Sequence, residues 1–149
     1  MTTKVSIDAS GGDFGFPVTI EAGLNALSLY GDLHLNFVGD KPGVQQELEK
    51  HAKYKSLIER ISVTHASEVI DMCEAPSHAL RRKKDSSMRV AINLVHDKTV
   101  DACVSAGNTG ALMAISRFVL KTIKGVDRPA IMTSLPTYTG HTHMLDVGA

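Results

Sequence analysis

The feature that most constrains this chain is an alternation of short apolar runs with stretches of helical periodicity, repeated as far as about residue 121. Parallel strands need long crossovers, usually helical, so such an alternation commits a chain to a mainly parallel sheet covered on both faces. Lys4 to Ala9 reads as a first strand that ends in Gly11-Gly12. Pro17 then opens a helix, its missing N–H costing nothing in a first turn. Val18, Ala22, Leu24, Leu27 and Leu29 give that helix an apolar side up to Tyr30. Leu33 to Val38 is a second strand, closed by Gly39-Asp40. Pro42 opens a second helix, with Val44 and Leu48 four apart, and Ile61 to Thr64 is a β-branched third strand. Ala66 to Ser87, with Pro76 and a dense basic run, shows no regular period. From Ser87 to His96 the pattern is helical again, with Met88, Ala91, Ile92 and Val95 at i, i+3, i+4 and i+7. Asp101 to Ser105 is a strand of buried type that breaks at Ala106-Gly107-Asn108-Thr109-Gly110. A helix follows to about Lys121, its inner side predicted as Ala111, Leu112, Ile115, Phe118 and Val119. Beyond Gly125, Ala130–Leu135 and Thr142–Val147 predict an antiparallel hairpin across 136–141. No repeat, low-complexity segment or linker interrupts the series, so residues 1–149 read as a single α/β domain.

Composition narrows the function. A hydrophobic share of 43% supports a packed core and argues against disorder. Lys+Arg 16 balance Asp+Glu 16, which excludes wholesale nucleic-acid binding while leaving room for a local basic patch. No apolar run reaches the length of a membrane span, and no apolar core of a signal peptide follows Met1-Thr2-Thr3-Lys4. Cys73 and Cys103 make no disulfide framework, so the chain reads as cytosolic and reduced.

Three segments carry chemical signals. In Val104-Ser105-Ala106-Gly107-Asn108-Thr109-Gly110-Ala111 a buried strand passes through small residues into a helix. Unpaired N–H groups at such a helix start attract phosphate, glycines let the ligand approach, and Ser105, Asn108 and Thr109 add side-chain hydrogen bonds. The competing reading makes Asn108 or Thr109 a helix cap and nothing more. Asp8-Ala9-Ser10-Gly11-Gly12-Asp13 also follows a strand; Asp8 and Asp13 either orient cations or a metal, or sit in a tight turn. The third segment, Ala79 to Met88, contains Arg81, Arg82, Lys83 and Lys84 ahead of the possible caps Asp85, Ser86 and Ser87. Such a run is either a solvated face or a landing site for phosphate or an acidic partner. His141 and His143 share a strand face without the further ligands of a metal site, and read as a surface hairpin. His65 and His78 are possible general bases with no acidic or serine partner at a recognisable spacing. Cys103 reads as a core residue, nothing marks Cys73 as a nucleophile, and neither a GxSxG elbow nor a P-loop occurs.

Taken in order, several of these stretches resemble one family. They are Ile7–Asp13, Val38-Gly39-Asp40, His65–Ile70, Ala79–Met88, Val104–Met113, Asp127–Ala130 and Leu145–Ala149. The chain is similar, over its whole length, to the N-terminal part of the PlsX family of bacterial phosphate acyltransferases. Ser10 departs from the family's usual Met, and the Asn that follows the family's last motif has no counterpart after Ala149. The resemblance implies a three-layer α/β/α sandwich like that of isocitrate dehydrogenase and phosphate acetyltransferase. It implies transfer of a long-chain acyl group from acyl carrier protein to inorganic phosphate, giving acyl phosphate for phospholipid synthesis. It implies no cofactor and no metal, a homodimer, and a cytoplasmic location with peripheral attachment at the inner face of the membrane. On that basis phosphate falls to Ser105, Asn108, Thr109 and Gly110, with Lys84 and Ser87 beside them. Asp8 and Asp13 organise the cleft floor and, with Lys84, are the candidates for catalysis; Arg81, Arg82 and Lys83 receive the carrier protein. Because the chain stops where a strand enters a glycine turn, it is expected to be the N-terminal portion of a longer acyltransferase and inactive alone. Two other readings remain: a non-catalytic anion-binding fragment, and a piece of a β-decarboxylating dehydrogenase-like enzyme, which would need a carboxylate cluster for a divalent metal.

Overall fold

The computed structural model describes residues 2–147, with 52–54 described as backbone only. The chain runs β1 (Thr3–Asp8), α1 (Phe16–Leu29), β2 (Leu33–Gly39), α2 (Lys41–Glu49), a 3₁₀ segment (Ala52–Arg60), β3 (Ile61–His65), α3 (Pro76–Arg82), α4 (Ser87–His96), β4 (Ala102–Ser105), α5 (Thr109–Leu120), β5 (Met132–Thr137) and β6 (Gly140–Leu145). β1 to β4 form one sheet in the order β3-β2-β1-β4, every neighbour parallel.

Helices cover both faces, each with its own core. On one side Ile20, Leu24 and Leu27 of α1 and Val44 of α2 bury against Leu35 and Phe37 of β2. On the other, Ala79 of α3, Met88 and Ile92 of α4, and Ala111 and Ile115 of α5 pack together. Ala91 of α4 meets Val38 of the sheet and Ala66. The architecture is a three-layer α/β/α arrangement, as the alternation predicts.

Local chemistry fixes the helix ends. Asp40 caps α2, its Oδ2 accepting from the Gly43 N–H at 3.0 Å; Ser86 caps α4 and Asn108 caps α5. The last carbonyls of α1 are held from a distance: the Arg60 guanidinium donates to Leu27 and Tyr30 oxygens, both at 2.8 Å.

Five expectations are corrected, the first being β4: read as a strand of buried type, it leaves Ala102 and Val104 exposed. The stretch from Ala66 to Ser87 is not irregular throughout, because Pro76 opens the short helix α3, whose Ala79 is buried. The inward stripe of α1 is Ile20, Gly23, Leu24 and Leu27, at i, i+3, i+4 and i+7, while Val18 and Leu29 lie exposed on its flanks. Phe118, predicted inside α5, lies on the surface because Ala111 and Ile115 already fill the side facing α3 and α4. The hairpin is shifted: Met132 pairs with Leu145 and Thr137 with Gly140, leaving Tyr138-Thr139 as a two-residue connection. A two-residue loop with glycine at its edge matches strand twist better than the longer loop read from Pro136. β5 and β6 form a separate antiparallel sheet.

Strand order also locates the site. From β1 the sheet grows outward through β2 to β3, then the chain returns to place β4 on the other side of β1. Ligands of open α/β sheets bind outside the carboxyl ends of the strands at such a reversal, here between β1 and β4.

Candidate functional site

The reversal brings together the two loops that the sequence analysis singled out. Asp8 ends β1 and Ser105 ends β4, and the parallel register sets them opposite each other. The Ser105 hydroxyl donates to Asp8 Oδ2 at 2.6 Å and accepts the Gly107 N–H at 3.1 Å, so one side chain links both loops. Asp8 is 1% exposed, and its Oδ1 finds no hydrogen-bond partner among the described residues. Burial pushes the carboxyl pKa up, against the opposing pull of the Ser105 and Ser87 hydroxyls and the Gly11 N–H. A Cβ on Gly11 would stand 2.5 Å from Asp8 Oδ2 and 3.2 Å from the Gly107 nitrogen, so only glycine lets the loops close to this distance.

Asn108 sits at the next step outward. Its Oδ1 accepts the Ala111 N–H at 3.0 Å, capping α5. Its Nδ2 donates toward the carbonyls of Asp71, Met72 and Glu74 at 3.2, 3.0 and 2.9 Å, tying the segment before α3 over the start of α5. Gly110 serves the same meeting: a Cβ there would lie 2.8 Å from Pro76 Cγ, at the first turn of α3. Thr109 and Gly110 open α5, are exposed, and have amides with no acceptor inside the helix.

The remaining predicted residues separate into an inner and an outer set. Ser87 is buried at the first turn of α4, beside the Asp8 carboxyl. Asp13 lies exposed on the loop after β1. Arg81 and Arg82 end α3 and are exposed, Lys83 is half-buried at its C-cap, and Lys84 is exposed in the turn that follows. The Asp85 carboxylate accepts from both the N–H and the hydroxyl of Ser67, which hold its pKa down.

Sequence reasoning missed two pairings, the looser of them His65 Nδ1 to Asp40 Oδ1 at 3.9 Å. His78, read as lacking a partner, sets Nδ1 2.5 Å from Glu74 Oε1, and that contact chiefly lowers the Glu74 pKa. The signal was present as an acid and a histidine four apart, but it needed a helix start at Pro76, which the sequence reading lacked. His65 Nδ1 accepts the Lys41 N–H at 3.2 Å. On the hairpin, His141 and His143 rings meet edge to face, with His143 hydrogen-bonded to Ser134. Among the described residues no group of three or more His, Cys, Asp or Glu is gathered for a metal, and no helix is long and apolar enough to cross a membrane.

Comparison with known proteins follows the same outline. A family model described as "Fatty acid synthesis protein" matches residues 3–149. The chain is 66% identical over 149 residues to a phosphate acyltransferase of Vesicomyosocius okutanii and 65% identical to that of Ruthia magnifica, covering all of this chain and 44% of each relative. It is 54% identical to the phosphate acyltransferase of Hydrogenovibrio crunogenus, of which it covers 43%. The chain thus spans less than half the length of the curated relatives it matches.

Proposed function

Since the chain belongs to the fatty acid synthesis protein family, the PlsX family, we propose that it forms the phosphate-binding part of an acyltransferase that moves a long-chain acyl group from acyl carrier protein to inorganic phosphate. The observation that carries this reading is the pairing of Asp8 with Ser105 at the reversal of strand order, beside the open start of α5. The amides of Thr109 and Gly110 and the Thr109 hydroxyl receive the phosphate, where the helix dipole favours negative charge. Ser105, Asn108 and Ser87 act from behind: their polar groups hold Gly107, the 71–74 segment and Asp8, and so keep the amides aimed outward. Lys84 and the end of α3 add positive charge outside the crevice.

The chemistry needs no covalent protein intermediate. An oxygen of monohydrogen phosphate attacks the thioester carbonyl, the new C–O bond forms as the C–S bond breaks, and the phosphate proton leaves with the thiol. Positioning and electrostatic stabilisation supply the rate. The homodimer, the cytoplasmic location and the peripheral membrane contact belong to the same reading.

Thr109→Pro is the sharpest test, because proline at the first helical position removes the Thr109 N–H and hydroxyl together without breaking the helix. Asn108 already has the extended backbone that a residue before proline requires. Phosphate titration by calorimetry should show at least roughly tenfold weaker binding in the variant, since two hydrogen bonds to the anion are lost. Equal affinity in parent and variant would move the anion site elsewhere.

A further inference from the structure

The outer end of the helix layer holds a groove that the phosphate site does not use. α3 and α5 lie side by side and point the same way: Pro76 abuts Gly110, and one helical turn on, Leu80 lies beside Ala114. Between them runs a groove of about 360 Å³, floored by Leu80, Ala114 and Phe118 and bordered by Arg117 and Lys121. Phe118 is 53% exposed and supplies the aromatic part of the groove's floor. Its ring is a platform for cations: the Arg89 guanidinium stands 5.2 Å from the ring centroid and the Lys121 ammonium 4.8 Å. Arg81 and Arg82 lie in the last turn of α3, directly after Leu80. Among the described residues none of these five cations pairs with a carboxylate within 4.0 Å. On a chain of zero net charge this is an excess of positive charge gathered round an apolar floor.

We infer that the groove between α3 and α5 docks an acidic, amphipathic helix of the acyl carrier protein, with Phe118 as its apolar anchor and Arg89 and Lys121 as its fixed charges. The inference rests on the acyltransferase reading and extends it from the basic run of α3 to α5. Groove shape and charge together select the partner. A trough between two helices accepts a convex helix, read at i, i+3, i+4 and i+7, whereas a bilayer calls for a protruding amphipathic face. Cations already seated on a ring need little further ordering when a carboxylate arrives. Phe118 is nine residues along α5 from Thr109, about 13 Å at the helical rise. A carrier seated there stands one helix length from the phosphate amides, a span that its flexible thioester-bearing arm must bridge.

The test is binding of purified acyl carrier protein to the chain, followed by fluorescence anisotropy at two salt concentrations. Lys121→Glu and Phe118→Ser, both exposed and outside the core, should each weaken binding at least tenfold, with Lys121→Glu also flattening the salt dependence. Lys41→Glu, an exposed charge reversal at the start of α2, should leave binding unchanged, and all three should bind inorganic phosphate as the parent does. Carrier bound equally well by parent and Lys121→Glu would overturn the groove while leaving the acyltransferase reading intact. Absence of carrier binding by a parent that still binds phosphate would overturn both the groove and the carrier's place in the proposed reaction. Flotation with vesicles of anionic phospholipid that is lost in Lys121→Glu, without carrier binding, would assign the patch to a membrane surface and overturn the inference.

Discussion

At the ends of β1 and β4, Ser105 reaches 97 residues back along the chain to close on Asp8, and a glycine at 11 is needed for the loops to fit. In the β5–β6 hairpin, Met132 meets Leu145 across a two-residue connection, and every side chain of β6 is open to solvent. The crevice is therefore specified by contacts distant in sequence and sealed by burial, the hairpin by its neighbours and its turn. An isolated two-stranded hairpin is marginal in water, whereas strands packed under two helix layers share the stability of the whole domain. Substitutions at the sheet and crevice should be felt globally, and those on the hairpin locally.

The largest effect should come from the sheet. Phe37 is fully buried beneath α1, so Phe37→Ala should lower the stability by about 3–5 kcal/mol in a urea melt. Next is the seam itself. Gly11→Ala forces a methyl against Asp8 and the Gly107 amide, and should destabilise by about 1–3 kcal/mol while weakening phosphate binding. A variant as stable as the parent, with phosphate binding intact, would show that the loops are looser than their distances imply.

Asn108→Ala loses a helix cap and the tether to residues 71–74, and should lose about 1–2 kcal/mol. Amide exchange should quicken in 71–74 and the first turn of α5 and stay unchanged in the hairpin. Uniform quickening throughout the chain would dissolve the contrast between the two regions.

A smaller effect is a slope with pH. The Asp8 carboxyl keeps its proton to higher pH in the folded chain than its ordinary value of 3.8. The native state therefore holds the extra proton, and this group's contribution is complete below that ordinary value and lost as pH rises through the raised one. Asp8→Asn removes the loss, so its stability relative to the parent should climb with pH. Asp85 and Glu74 act with the opposite sign, since their lowered values remove stability as pH falls. Denaturant midpoints of parent and variant from acid to neutral pH check the direction; a constant difference would mean that Asp8 titrates as it does in the unfolded chain. At the bottom of the scale, Tyr138→Ala at the fully exposed hairpin tip should change stability by no more than about 0.5 kcal/mol.

Much of the sheet was legible because its signals are short-range. Val38-Gly39-Asp40 announces a strand end within three residues, and Met88, Ala91 and Ile92 reveal the inner face of α4 by period alone. The two chemical loops were legible in the same way, each as a strand passing through small residues into a helix. What failed was whatever depended on a neighbour. α3 is seven residues long and lacks a visible period, and it is kept by Ala79 in the core and Pro76 against Gly110. Phe118 fits the inward stripe of α5 by spacing, yet lies outside it because the stripe is already filled by smaller residues.

Spacing and residue type alone determined that this chain is a parallel α/β domain with two glycine-bearing turns at strand ends, since periodicity and turn chemistry act over a few residues. Which turns would face each other was beyond them. The return of the chain to set β4 beside β1 placed Ser105 opposite Asp8, and burial between the layers then raised the Asp8 pKa. The same folding turned Asn108 inward as a tether and left Thr109 and Gly110 exposed at the start of α5. Desolvation and register are properties of packed elements, and only the tertiary structure supplies them.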